Sequence, residues 1–231
     1  MKDKEYAEAK KPYKNSPFYP LENKFRRYVV PKIPNFLETY HFTFSTILWS
    51  AFVIVFGYLA SKNILWLLAF SFAILMQWVT DLLDGEVGRY RNTGLVKWGF
   101  FADHFLDYLF LASLLLGYHF LFLGEPAYNP MLLLGISFLS VGFLVISYLH
   151  FAATKNFAIA VSKIYGPSEM RFSLIIFNFA LIFFGASYFM KFMLPFLIIE
   201  AVFLIVIFYF VQRKIWRLDM KIKRKNLKDL N

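Results

Sequence analysis

Four aspartates lie within one segment of the sequence, residues 81–107, where two long apolar stretches meet. Asp81 and Asp84 are three positions apart, and Asp103 and Asp107 are four positions apart. On a helix, both spacings place side chains on one face, about 5–6 Å apart at their β-carbons. Two such pairs facing each other would bring four like charges together, which is unfavourable unless cations or protons neutralise them.

Carboxylate oxygen would be the ligand of such a cation site. Hard oxygen ligands suit magnesium, manganese or calcium and do not suit zinc or copper. Four carboxylates could also serve two ions about 3.5–4 Å apart, an arrangement that proteins use for phosphoryl displacement. The chain has no cysteine, which excludes disulfides, thiolate metal sites and cysteine nucleophiles.

Small residues and a cation accompany the acids. Gly85, Gly88 and Gly99 either leave the backbone open to a ligand or allow helices to pack closely in a membrane. Arg89 is either a phosphate ligand, through its planar guanidinium, or an interfacial arginine that sets the membrane topology. Taken singly, none of these residues distinguishes a phosphate site from a structural role.

The elements that must position these residues are membrane-spanning helices. Of the 231 residues, 59% are hydrophobic and only 17% are charged. We expect an all-α integral membrane protein with six transmembrane helices, each able to cross about 30 Å of hydrocarbon. The predicted spans are 42–60, 64–87, 99–123, 131–153, 172–189 and 192–211.

The basic residues predict how these helices are oriented. Of the 25 lysines and arginines, 23 fall on one side of the predicted membrane, and only Lys62 and Lys191 fall on the other. The positive-inside rule then places both termini in the cytoplasm. We expect the protein to lie in the cytoplasmic (inner) membrane. The turn between the second and third spans is cytoplasmic in this topology. We therefore expect the active site at the cytoplasmic ends of helices 2 and 3.

Three parts of the chain follow from this topology. We expect a cytoplasmic N-terminal tail over 1–40 with at most a short juxtamembrane amphipathic helix, a six-helix membrane domain over 41–212 (the catalytic domain if the acids form an active site), and a basic cytoplasmic tail over 213–231. The net charge of +10 sits mostly in the tails. There it contacts anionic headgroups, and no nucleic-acid partner is expected because no nucleic-acid-binding signature accompanies the charge.

Taken together, these residues resemble the signature of the CDP-alcohol phosphotransferase family, also called CDP-alcohol phosphatidyltransferases. That signature is D-x2-D-G-x2-A-R-x8-9-G-x3-D-x3-D. Gly88 stands where the signature has alanine. The six-span layout and the polar lead-in "KIPNFLET" at 32–39 are also similar to the family. The matching positions are Asp81, Asp84, Gly85, Arg89, Gly99, Asp103 and Asp107.

The resemblance implies a specific transferase. It would move a phosphatidyl or substituted phosphate group from a CDP-alcohol, with CDP-diacylglycerol the expected donor, to an alcohol hydroxyl, releasing CMP in phospholipid biosynthesis. It implies a homodimer among membrane lipids, with two divalent cations, Mg²⁺ or Mn²⁺. The implied metal ligands are Asp81, Asp84, Asp103 and Asp107, with Asp107 also the base, and the implied CDP site comprises Gly85, Gly88, Arg89 and Gly99.

A second polar stretch, "KIYGPSEMR" at 163–171, precedes the fifth predicted span. Its residues either begin a helix, as a cap and a first-turn acid, or face the motif and bind the acceptor alcohol. The residues of this candidate acceptor site are Lys163, Glu169 and Arg171.

A cation or proton transporter is the competing hypothesis. It predicts acids distributed through the depth of the membrane, with matching acids on other helices. In this sequence the motif acids crowd one end of two helices, beside an arginine and glycines. Glu200, inside the sixth span, is the exception, and we expect it to have a buried partner or to lie near a polar cavity.

Overall fold

Helices make up nearly all of the computed structural model, which describes residues 16–154 and 166–228. No strand occurs in these two ranges. Six of the helices are long and apolar enough to cross a membrane, which confirms the predicted all-α, six-span fold. The helices are α1 (Tyr19–Val29), α2 (Thr39–Ala60), α3 (Trp66–Arg91), α4 (Val96–Phe122), α5 (Pro130–Thr154), α6 (Pro167–Phe184), α7 (Ala186–Met190) and α8 (Met193–Lys228).

A tight turn joins the two helices that carry the four aspartates. Helix α3 continues to Arg91, four residues beyond the predicted end of the second span. Asn92 then adopts the left-handed conformation, with φ of 57°, which asparagine tolerates better than most residues. The amide of Thr93 donates to the carbonyl of Gly88 at 3.1 Å and closes the turn. The aspartates therefore lie two to three helical turns inside α3 and α4.

The fifth span has the predicted length but begins and ends five residues earlier than the sequence pattern predicts. We expected it over 172–189, but α6 ends at Phe184 and the short helix α7 follows it. Gly185, between them, has φ of 80°, a conformation that glycine adopts without steric penalty. The apolar pattern continues across this break, so hydrophobicity alone does not locate it. At its other end, α6 begins at Pro167 and includes the polar residues that precede the predicted span.

Helix α2 is the centre of the bundle. It packs along both α3 and α4 and is the main contact of each of them. The approach to α4 is closest at Gly57, where an added β-carbon would lie 2.3 Å from the carbonyl oxygen of Gly117. Such crossings through small residues are typical of membrane helices.

Polar side chains fix α3, α4 and α6 to one another deep in the bundle. The hydroxyl of Tyr118 donates to the Asn178 side-chain oxygen at 2.8 Å, and the Asn178 amide donates to Ser71 Oγ at 3.0 Å. Asn178 is fully buried among apolar side chains. Hydrogen bonds among buried side chains avoid the cost of an unpaired polar group in hydrocarbon.

Helices α5 and α8 form a pair at the side of the bundle. Leu197 and Leu204 of α8 pack over Gly135 and Gly142 of α5. Glu200 lies in this contact and accepts a hydrogen bond from Ser140 at 2.7 Å. Helix α8 continues through 213–228 and carries the basic residues of the expected C-terminal tail.

Candidate active site

The side chain of Arg171 joins the two halves of the acidic motif. Its Nη1 lies 3.0 Å from Oδ2 of Asp81 on α3, and its Nη2 lies 3.3 Å from Oδ1 of Asp107 on α4. Only 6% of the arginine side chain is exposed. Ion pairs with two carboxylates compensate the cost of burying this guanidinium. The Arg171 side chain therefore bridges α3 and α4.

Asp84 is the most buried of the four aspartates, and α2 holds it. The hydroxyl of Thr43 lies 2.8 Å from Oδ2 of Asp84 and donates a hydrogen bond to it. The hydroxyl of Thr39, one turn earlier on α2, donates to the backbone carbonyl of Asp84 at 3.3 Å. Both threonines are buried. A helix without any motif residue thus fixes the position of a motif acid.

Asp103 lies at the open edge of the cluster. Its side chain is 39% exposed, the largest fraction among the three aspartates that form ion-pair contacts. Nδ1 of His104 lies 3.6 Å from its Oδ2. The hydroxyl of Tyr148, on α5, donates to the His104 carbonyl at 2.9 Å and ties this turn of α4 to α5.

Arg89 and Gly85 lie together on the last turns of α3. A β-carbon at Gly85 would be 3.0 Å from Nη1 of Arg89, so the glycine leaves room for the guanidinium. Arg89 is paired with Glu86 at 3.0 Å, and its side chain is 56% exposed. Glu86 is also 3.2 Å from Arg26 of α1. The N-terminal helix therefore contacts the carboxylate that holds Arg89.

Gly88 and Gly99 have different surroundings. A β-carbon at Gly88 would lie 2.8 Å from both the Cα of Gly94 and the hydroxyl oxygen of Thr39. At Gly99 the same atom would meet open space, with nothing within 4 Å. In this chain Gly88 is thus required for close packing of the α3–α4 turn, whereas Gly99 leaves a free surface at the start of α4.

Two of the candidate acceptor residues, Glu169 and Arg171, have different positions relative to the acidic cluster. The carboxylate of Glu169 accepts hydrogen bonds from the Gly166 amide at 2.8 Å and from the hydroxyl of Ser16, so it caps α6. Arg171 faces the aspartates, as described above. Lys163 lies outside the described residues.

A chain of polar contacts links α6 to the N-terminal helix. Ser168 accepts a hydrogen bond from Trp78 Nε1 at 3.1 Å and donates to Glu22 at 2.6 Å. Glu22 pairs with Arg26 at 2.6 Å, and Arg26 reaches Glu86. Helix α1 therefore contacts both Ser168, three residues before Arg171 on α6, and Glu86, the partner of Arg89 on α3.

The chemistry of the donor set fits a hard divalent cation, because the four motif side chains offer only carboxylate oxygens. The ion pairs of Arg171 with Asp81 and Asp107 show that a positive charge is stabilised between these carboxylates. Within 16–154 and 166–228, no three acidic or histidine side chains are arranged so that they could hold one metal ion. In this structure the Arg171 guanidinium engages Asp81 and Asp107.

Sequence reasoning missed Thr39 and Thr43. Their four-residue spacing repeats that of Asp103 and Asp107, and they stand at the start of an apolar span. Two hydroxyls on one helix face at the depth of the acids were a usable signal. Glu86 and Arg26 were also missed, because a contact between a tail and a span has no periodic signature.

A family model described as CDP-alcohol phosphatidyltransferase matches residues 32–212 of the chain. The matched segment contains the four aspartates, the motif glycines and Arg89, together with Thr39, Thr43 and Arg171. Searches of curated proteins and of solved structures return no match.

Proposed function

Because the chain belongs to the CDP-alcohol phosphatidyltransferase family, and is thus a phosphatidyl-transfer enzyme of membranes, we propose that its donor is CDP-diacylglycerol. The hydroxyl oxygen of an alcohol would attack the β-phosphorus of the donor. A new phosphorus–oxygen ester bond forms, the anhydride bond between the two phosphates breaks, and CMP leaves. The main support is that acids from both halves of the motif reach one guanidinium, at the same end of the bundle as Arg89.

Asp107 is the proposed base. It takes the proton of the attacking hydroxyl, since a carboxylate within hydrogen-bond reach is a competent general base. Arg171 lies 3.3 Å from this carboxylate and forms an ion pair with it. The 34% exposure of the Asp107 side chain leaves room for a hydroxyl to approach.

Arg89, Gly85, Gly88 and Gly99 are the proposed CDP site. Arg89 is exposed and presents a planar guanidinium that suits a diphosphate. Gly99 leaves open space at the start of α4. The tight packing of Gly88 against Thr39 and Gly94 supports a role in shaping this site through the backbone.

Arg171, with Lys163 and Glu169, is the proposed acceptor site. In this group Arg171 contacts the acids directly, and Glu169 fixes the helix turn that presents it. A polar acceptor bound beside Arg171 would place its hydroxyl near Asp107.

The family is generally dependent on divalent cations, and we propose two ions, Mg²⁺ or Mn²⁺, held by Asp81, Asp84, Asp103 and Asp107. When bound, such ions neutralise negative charge on the diphosphate. The carboxylates orient them, and Arg89 and Arg171 supply further positive charge from the protein.

The proposed setting is the cytoplasmic (inner) membrane, with both termini and the site on the cytoplasmic side. The distribution of lysine and arginine supports this orientation. Labelling of single cysteines placed at each terminus, in sealed vesicles, tests the orientation.

The chain is proposed to divide into a tail over 1–40, a catalytic domain over 41–212 and a basic tail over 213–231. We expect the protein to form a homodimer.

CMP release by the purified protein tests the reaction. The assay supplies CDP-diacylglycerol and Mn²⁺ or Mg²⁺ with a panel of alcohols, namely glycerol 3-phosphate, inositol, inositol phosphate, serine and choline. We expect CMP with at least one of them, and loss of CMP in Asp107→Asn. Asp219→Asn, an exposed acid on α8, is the matched control. No CMP with any acceptor, or full activity of Asp107→Asn, would overturn the assignment.

A further inference from the structure

Thr43 makes a direct hydrogen bond to a motif acid from outside the motif. Its hydroxyl oxygen lies 2.8 Å from Oδ2 of Asp84 and 3.2 Å from the carbonyl oxygen of Thr39. The hydroxyl has one proton to donate. The carboxylate is both the nearer and the charged acceptor, and charge-assisted bonds are the stronger ones. The bond to Asp84 is therefore the one that the hydroxyl makes.

Burial makes this bond structurally well defined. Thr43 is 3% exposed and Asp84 is 5% exposed. Water has little access to compete for either group, so the bond is stronger than its counterpart at a surface. Thr39 adds a second restraint by donating to the backbone carbonyl of the same aspartate. Both the side chain and the main chain of Asp84 are thus held by one face of α2.

Helix α2 is well placed to restrain the acids because it packs along both α3 and α4. Any change in its position would be transmitted to the acids on α3. The proposed ligand set contains no residue of α2, so α2 acts on the site only through such contacts. Hydrogen bonds of this kind fix the orientation of carboxylates that ligate metals.

We propose that Thr43 is a positioning residue, whose hydroxyl orients the Asp84 carboxylate for binding a divalent cation. This inference rests on the proposed function, in which Asp84 is a metal ligand. The competing explanation is purely structural: threonine in an apolar helix satisfies its hydroxyl locally and contributes only to packing. The two explanations differ in what happens to metal affinity when the hydroxyl is removed and the shape is kept.

The test is Mn²⁺ binding by the purified protein in detergent, without substrate, followed by the electron paramagnetic resonance signal of free Mn²⁺. Thr43→Val removes the hydroxyl at constant shape, and Thr43→Ser keeps the hydroxyl. We expect Thr43→Val to weaken binding about 10- to 100-fold, in line with other losses of bonds to metal ligands. Thr43→Ser is expected to bind as the wild type does.

Thr80→Val is the matched control. Thr80 lies one turn before Asp84 on α3, and its hydroxyl oxygen is 3.1 Å from the backbone carbonyl oxygen of Met76 and 3.0 Å from that of Gln77, so its proton is donated to the backbone of its own helix. Its removal is expected to leave Mn²⁺ affinity unchanged. In an Asp84→Asn background, Thr43→Val is expected to cause no further loss, since the carboxylate that it orients is already gone.

The outcomes separate this inference from the proposed function. Wild-type Mn²⁺ affinity in Thr43→Val, or an equal loss of affinity in Thr43→Val and Thr43→Ser, would overturn the positioning role of Thr43. Neither result would contradict the proposed transfer reaction. Failure of the wild type to bind Mn²⁺ would overturn both the proposed ligand set and the role of Thr43. Thermal unfolding of each variant verifies that the measured protein is folded.

Discussion

Arg171 and Asp81 are 90 positions apart in the sequence, and their side chains form an ion pair at 3.0 Å. The same guanidinium reaches Asp107 on the opposite side. The positive charge of one guanidinium therefore neutralises acids from both halves of the motif. Because these acids are also the proposed metal ligands, Arg171 and a divalent ion would compete for the same oxygens.

This competition gives a prediction for Arg171→Gln. An opposite unit charge within about 4 Å is worth about 4 kcal/mol at an effective dielectric constant of 20. Partial exposure of the two aspartates reduces this value. We expect Mn²⁺ to bind about tenfold more tightly to Arg171→Gln, which corresponds to about 1.4 kcal/mol. CMP release is expected to fall, because the acceptor loses the guanidinium that binds it.

Arg171→Lys and Arg213→Gln complete this experiment. Lysine keeps the charge but not the two-armed geometry, so we expect wild-type metal affinity with reduced transfer. Arg213 is exposed on α8 and bonds to Tyr209, so its replacement is expected to change neither quantity. Weaker Mn²⁺ binding by Arg171→Gln would mean that the arginine assembles the ligands and does not compete for them.

Much of the fold follows from the sequence alone. Continuous apolar stretches predict six spans, and the short polar turn at 92–95 places the four aspartates at one end of two helices. The break at Gly185 could not be placed, because apolar residues continue through it and hydrophobicity does not record backbone angles. The apolar pattern placed the fifth span five residues after the start of α6 at Pro167, because the first turn of α6 is polar. That a helix begins in this polar stretch was one of the two alternatives stated for it.

The site could be predicted only where it is local. The spacing of Asp81, Asp84, Asp103 and Asp107 is visible along the chain. The approach of Arg171 depends on the packing of α6 against α3, which sequence periodicity does not specify. The same holds for Thr43, whose partner lies 41 positions away. Contacts between distant elements require the assembled bundle.

Gly88→Ala would restore the residue of the family signature, yet we expect it to harm this protein. The new β-carbon would lie 2.8 Å from the Thr39 hydroxyl oxygen and from the Cα of Gly94. Overpacking of this kind typically costs about 1–3 kcal/mol. The expected result is a lower thermal unfolding temperature together with reduced CMP release. Adding Thr39→Ala to this variant removes one of the two contacts and is expected to recover part of the stability.

Gly99→Ala is the matched variant for this prediction. Its β-carbon would meet open space, so the unfolding temperature is expected to stay unchanged. If Gly99 lines the CDP site, KM for CDP-diacylglycerol rises without a stability change. Equal stability of Gly88→Ala and the wild type would contradict the packing argument.

The crossing of α2 and α4 predicts a second, purely structural effect. In Gly57→Ala the added β-carbon would lie 2.3 Å from the backbone oxygen of Gly117, and backbone cannot yield as a flexible side chain does. We expect a loss of stability of about 1–3 kcal/mol or more, measured by thermal unfolding in detergent. Gly124→Ala, which meets nothing within 4 Å, is expected to unfold at the wild-type temperature. A Gly57→Ala protein that unfolds as the wild type does would show that the two helices separate easily.

Glu86→Gln tests whether the N-terminal helix influences substrate binding. Glu86 pairs with Arg89 at 3.0 Å and with Arg26 of α1 at 3.2 Å. Loss of its charge frees Arg89 from this pair, while Arg26 keeps its pair with Glu22. Arg89 then has to be ordered when the donor binds. Because the Arg89 side chain is more than half exposed, the pair is screened by solvent and its contribution is small. We therefore expect KM for CDP-diacylglycerol to rise a few-fold, with kcat nearly unchanged.

Arg26→Gln separates the two contacts of Glu86. It removes the link to α1 and leaves the pair between Glu86 and Arg89 in place. If α1 positions Arg89 through Glu86, Arg26→Gln raises KM in the same direction as Glu86→Gln, and the double variant adds little. A fall in kcat at constant KM in either variant would contradict this account, because it would place Glu86 in the chemical step and not in donor binding.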